Sequence, residues 1–185
     1  GGIDSIEHGI FMDDECCREM KERGVWLVPT LAAVKNILAG FDGGDRSIPD
    51  YVIEKSRRVF DRHIAATKMY YKAGGKIAMG TDAGTPHNRH GENARELEFM
   101  CDIGVSTRDS LFFATASAAD LMRLGDQGRI KEGNSADFVV CDGDPLVDIK
   151  KAARKENHRM VVKRGQFAKD NRAAFVAPAQ RVAAE

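Results

Sequence analysis

Short apolar runs alternate with long amphipathic stretches through the first two-thirds of the chain. Residues 3–8, Val25 to Val28 and Lys76 to Gly80 are too short for helices and stop at turn or polar residues. That pattern predicts strands buried on both faces. Between the first two, Asp13 opens a helix with Asp14 and Glu15 in its first turn, and Gly24 closes it after Lys21 and Arg23. Residues 31–49 carry Gly40, Gly43, Gly44 and Pro49, which predicts a short helix followed by a mobile loop. Val52, Val59, Ile64, Met69 and Tyr70 mark an amphipathic helix from about Tyr51 to Ala73, ended by Gly74-Gly75. Beyond a loop at 83–91 rich in Gly, Pro, Asn and His, helices are expected from Glu92 to Ile103, from Ser106 to Ala116, and on through Met122.

The resulting βαβαβα order argues for an α/β fold with parallel strands and right-handed crossovers. After Gly125 the regularity is lost. Strands at 137–142 and 159–163, separated by turns, indicate a second, small β unit. The expected organisation is therefore residues 1–124, then 125–168, then a polar, Ala-rich tail at 169–185 read as disordered.

Composition narrows the classes. The 185 residues are 43% hydrophobic and 30% charged, with a net charge of zero. This is ordinary for a globular protein and gives no reason to expect nucleic acid or an acidic membrane surface as partner. No apolar run approaches the roughly 20 residues of a membrane span. Cys16, Cys17, Cys101 and Cys141 form no CxxC pair and are read as small buried hydrophobes, with a mild preference for a reducing, cytoplasmic setting. The chain begins Gly-Gly-Ile and shows no signal peptide, as expected of a sequence entered in mid-protein.

Two strand ends carry the candidate chemistry. Ile77-Ala78-Met79-Gly80-Thr81-Asp82 delivers a carboxylate, and Ile3-Asp4-Ser5-Ile6-Glu7-His8 an imidazole. Both groups are good donors for Zn²⁺ and related ions. An Asp so placed can also accept the proton of an activated water. Either residue alone is weak evidence, since a His after a strand is more often structural and Asp often opens a turn.

Taken together, IEHG, LVPTL, GTDAGTP followed by HGENARELE, and ATASAADLMRLGDQGRIKEGNSADFVVCDGDPL resemble the C-terminal half of the amidohydrolase superfamily over residues 1–167. The likeness is strongest to its imidazolonepropionase-like and Xaa-Pro dipeptidase (prolidase-like) members. It implies the last three strands, six to eight, of a (β/α)₈ TIM barrel, with residues 125–168 contributing part of a composite β-sandwich. It implies His8 as a metal ligand closing strand six, Trp26 to Pro29 as strand seven, and Asp82 as the metal-binding, proton-accepting carboxylate ending strand eight. One or two divalent ions, with zinc foremost, would serve the intact enzyme. His90 and Thr30 would face a small-molecule or dipeptide substrate. His87 is read as a loop-ordering group, His63 as a surface or structural residue, and the 36–50 segment as either a lid or a variable insertion.

The departures from the family pattern are as informative. Its strand-one HxH pair, bridging carboxylated lysine and strand-five histidine are absent, and a complete barrel takes about 200–250 residues. The expectation is a C-terminal portion, inactive alone, with an exposed strand edge and the N-terminal half of the barrel, or another copy of the chain, as partner. Two readings stand at this point. One is a metal-dependent hydrolase acting on a C–N bond of a dipeptide or cyclic amide. The alternative is a non-catalytic scaffold or self-associating relative of the same fold.

Overall fold

The computed structural model describes residues 2–172. Three strands, β1 (Ser5–Glu7), β2 (Trp26–Val28) and β3 (Lys76–Ile77), form a parallel sheet in the order β1-β2-β3. Helix α1 (Asp14–Arg23) links the first pair, and α2 (Leu31–Asp42) with α3 (Asp50–Lys72) links the second. The core lies where the helices cover the sheet: Leu27, Leu31, Tyr70, Ile77 and Met100 are almost wholly buried. At about 25 cal/mol per Å² of apolar surface, such burial is the main force holding the layers together. Helix α1 has the ends its sequence predicts: the Asp13 side chain accepts from the Cys16 N–H, and Gly24 takes the left-handed conformation.

The helix expected after β2 runs for 12 residues and passes through Gly40. A Cβ there would lie 2.2 Å from the His87 ring, so glycine lets the loop following β3 pack against the helix. The helix after Ser106 is α5 (Thr107–Phe112), a π turn at Phe113–Ser117, then α6 (Ala118–Leu121). The π turn docks on the side of β3 turned away from β2. The Met79 N–H donates to the Phe113 carbonyl at 2.9 Å, and the Ser117 hydroxyl donates to the Ile77 carbonyl. Polar backbone at that edge is thus satisfied without another strand. The outer edge of β1 has no paired strand among the described residues, and a groove of about 380 Å³ is lined by Ile6 and His8 at β1, Phe11 and Met12 in the loop after it, and Met20 of α1.

A 3-10 turn (Asn93–Arg95) leads into α4 (Glu96–Asp102). The second unit is an antiparallel sheet of β4 (Phe138–Cys141), β5 (His158–Lys163) and β6 (Gln166–Asp170), with α7 (Lys150–Ala153) between the first two. Sequence reading missed β6. Its pairing of Lys169 with Val161 and Asp170 with Met160 carries the ladder into the stretch expected to be a disordered tail. The rest of that assignment, from residue 173, lies outside the described residues. Leu97, Ile149 and Ala153 form a small apolar cluster joining this unit to α4, reinforced by Arg154 paired with Glu98 at 2.8 Å. Of the cysteines, Cys17 is buried but Cys16 is exposed; all four are free thiols. No described helix is long and apolar enough to cross a membrane.

Candidate active site at the strand ends

Parallel strands all present their C-terminal ends to one side of a sheet, and here each end is followed by a residue in left-handed backbone. His8, just past β1, has φ 64°; Thr30, just past β2, has φ 52°; Asp82, beyond β3, has φ 52°. None is glycine, and for a β-branched threonine this conformation is a true outlier. Such strain persists only where surrounding structure imposes it, and it clusters at functional sites.

The constraints are visible around each residue. The His8 N–H extends the ladder by donating to the Val28 carbonyl at 2.9 Å. Gly9 follows, also at positive φ, where a Cβ would lie 2.6 Å from Leu27 Cδ1. The backbone at Asp82 is held by a side chain six residues on: Asn88 Nδ2 donates to the carbonyls of Thr81 at 2.6 Å and Asp82 at 3.0 Å. Asn93 Nδ2 adds a bond to Thr81 Oγ1 at 2.9 Å. The Asp82 side chain is exposed, and the structure gives its carboxylate no ion pair among the described residues.

Beneath the strand ends lies a buried polar layer. His8 Nδ1 and Thr30 Oγ1 are 2.5 Å apart, and Thr30 Oγ1 donates to the Pro29 carbonyl at 2.7 Å. The same carbonyl accepts from His63 Nε2 at 2.6 Å. His63 is fully buried, edge-on to His8 with ring centroids 6.5 Å apart, and its Nδ1 has no hydrogen-bond partner. Burial holds the His63 pKa below the ordinary histidine value, favouring the neutral ring. Glu96, fully buried at the start of α4, accepts the Leu31 N–H on Oε1 and the Ala32 N–H on Oε2, both at 2.7 Å. Burial pushes its pKa up to about 8, opposed by those two N–H bonds and by Lys35.

The histidine loop behaves unevenly. His87 Nε2 meets Asp45 Oδ2 at 2.6 Å, tying the loop after β3 to the segment between α2 and α3, in keeping with a loop-ordering role. The backbone N–H of Ser47 and its side chain, followed by His87, hold the Asp45 carboxyl at about 2. His90 is exposed, with Nε2 near Gly84, two residues beyond Asp82.

The structure therefore brings His8 and Thr30 into direct contact and sets Asp82 on the same side of the sheet. Thr30, expected to touch substrate, is buried with its hydroxyl committed inward. Sequence reading overlooked Glu96, and of its two readings for His63, surface or structural, the structure shows the structural one. The signal for each was its register. Glu96 shares a helix face with Met100 and Ile103, and His63 with Ser56, Thr67 and Tyr70, all buried.

The donor chemistry of His8 and Asp82, an imidazole and a carboxylate, fits a divalent metal. The two supply fewer groups than a four-coordinate site needs, and no cluster of three or more His, Cys, Asp or Glu suited to a metal exists among the described residues. Glu96 cannot join them while both its oxygens hold the start of α2.

Comparison with known proteins agrees with this architecture. The amidohydrolase family profile matches residues 1–168, so the chain belongs to the amidohydrolase family. It is 32% identical to ochratoxinase of Aspergillus niger over 154 residues, covering 80% of this chain and 30% of that protein. A solved Xaa-Pro dipeptidase with bound methionine superposes with a TM-score of 0.80 at 36% identity, over 91% of this chain and 40% of that one. A prolidase complexed with N-methylphosphonate-L-proline gives a TM-score of 0.82 at 29% identity, over 91% and 41% respectively. The chain thus spans well under half the length of these relatives.

Proposed function

We propose that this chain is the C-terminal portion of a metal-dependent amidohydrolase that cleaves a C–N bond in a dipeptide or cyclic amide. In this reading β1, β2 and β3 are strands six to eight of a (β/α)₈ barrel, and β4–β6 belong to the neighbouring β-sandwich. The carrying observation is the pair of strained strand-end residues, His8 and Asp82, delivered to one side of the parallel sheet. The unpaired outer edge of β1 is where earlier barrel strands would pack, bringing the remaining ligands.

His8 and Asp82 would hold the metal, which when bound acidifies water and polarises a carbonyl. Asp82 Oδ accepts the water proton as general base and passes it to the departing nitrogen as general acid. Its exposure suits that role, because the proton must reach both water and substrate. His90, exposed beside Gly84, lies near enough to the Asp82 loop to meet a polar substrate group. The likeness to a Xaa-Pro dipeptidase supports a dipeptide as substrate.

Elemental mass spectrometry after Zn²⁺ loading tests this reading on the chain and on a His8→Ala/Asp82→Asn double variant. Substoichiometric metal in the chain, lost in the variant, is expected of a site with two of its donors present. Metal bound equally well by both would sink the assignment.

A further inference from the structure

We propose that Thr30 is a positioning residue for His8, released from helix capping by Glu96; this rests on the functional reading only for the purpose His8 serves. Threonine at the residue before a helix ordinarily turns its oxygen to the exposed N–H groups of the first turn. Thr30 stands at that place before α2 and makes no such bond. Glu96, more than 60 residues away in sequence, takes the Leu31 and Ala32 N–H groups instead. The threonine hydroxyl is thereby free to turn toward His8.

Hydrogen-bond arithmetic then fixes where the His8 proton sits. The Pro29 carbonyl can only accept, so it takes a hydrogen from Thr30 Oγ1 and another from His63 Nε2. Thr30 has one hydroxyl hydrogen. With that hydrogen given to Pro29, the 2.5 Å contact with His8 requires the hydrogen of His8 Nδ1. The opposite assignment would leave two acceptor oxygens 2.7 Å apart with no hydrogen between them. Neutral His8 is therefore the Nδ1–H tautomer, with the Nε2 lone pair turned away from the polar layer. A histidine whose second nitrogen donates to a fixed acceptor is held in both tautomer and ring orientation. The left-handed backbone of Thr30 is the local cost of aiming its hydroxyl this way.

Two-bond ¹H–¹⁵N imidazole spectra of the 185-residue chain at about pH 8, above the ordinary histidine range, read the tautomer directly. His8 should show a protonated Nδ1 and a bare Nε2. Thr30→Ser should keep that signature, and Thr30→Ala should lose it toward the Nε2–H form. A proton on Nε2 in the unsubstituted chain overturns the proposal, whether or not the alanine variant folds. So does an unchanged His8 signature in a folded Thr30→Ala chain. Titrating Zn²⁺ into the same sample separates the two readings. An intact Nδ1–H signature with no Zn²⁺ response at His8 removes the metal role and keeps the Thr30 assignment. An Nε2–H form in a Zn²⁺-responsive chain does the reverse.

Discussion

The two sheets use positive φ for different ends. In the antiparallel sheet, Arg164 and Gly165 connect β5 to β6 with φ 51° and 77°, a two-residue turn whose twist matches the strands it joins. That conformation is geometric upkeep: it lets a hairpin close, and Asp137 Oδ1 steadies it by accepting the Arg164 N–H at 2.7 Å. In the parallel sheet no hairpin has to close. His8, Thr30 and Asp82 adopt the same backbone region at strand ends, over a layer of buried polar groups. The antiparallel sheet leaves Phe138, Val139 and Phe167 exposed, whereas Leu27 and Ile77 of the parallel sheet are sealed. The difference lies in what the positive φ serves: at Arg164 and Gly165 it closes a two-residue turn, whereas at His8 and Thr30 no turn has to close and the residues sit over buried polar partners.

Breaking the buried layer should have the largest effect. Glu96→Ala removes both acceptors at the start of α2 and leaves two buried N–H groups unpaired, at roughly 2–5 kcal/mol by the usual cost of leaving buried donors without partners. A urea midpoint unchanged from the parent chain would show that the layer contributes nothing special.

The pH dependence of stability gives a second test of the same group. The folded Glu96 pKa, about 8, lies above its ordinary 4.5, so the folded state holds the proton more tightly. Its contribution is full below 4.5 and is lost as pH rises through about 8. Denaturation between those limits should show stability declining with pH, and Glu96→Gln should flatten that part of the slope. A parent slope of the opposite sign, unaffected by the glutamine, would break the argument.

Packing at the strand ends comes next. A Cβ on Gly80 would stand 2.4 Å from Val28 Cγ1, a buried branched side chain with little room to yield. Gly80→Ala should cost about 1–3 kcal/mol through overpacking, seen as a lower melting temperature. Smallest of all, Arg164→Asn in the β5–β6 turn should raise stability by up to about 1 kcal/mol, because asparagine tolerates positive φ better. A larger gain there than the loss at Gly80 would invert the comparison between the sheets.

Much of this architecture was legible beforehand. The βαβαβα order, the Asp13 cap and the Gly24 stop of α1 are local, and local pattern predicts them. The packing of Gly40 in α2 against His87, 47 positions later in the chain, is not local and was not legible. Strand β6 was missed because Gln166–Asp170 is largely exposed and polar, so only pairing with β5 identifies it.

The candidate site divides along the same line. Sequence alone determined that an imidazole and a carboxylate each follow a short apolar run read as a strand, since an apolar run stopping at a polar residue is a one-dimensional signal. The structure places His8 directly after β1 and Asp82 five residues past β3. Only the tertiary structure decided what holds them. Thr30 exchanged a helix cap for a contact with His8, Glu96 took over the cap from a distant helix, and His63 went inside against Pro29. The physical reason is that a hydrogen bond depends on distance and direction in space. A donor and an acceptor separated by more than 60 residues leave no mark of their pairing in the order of either.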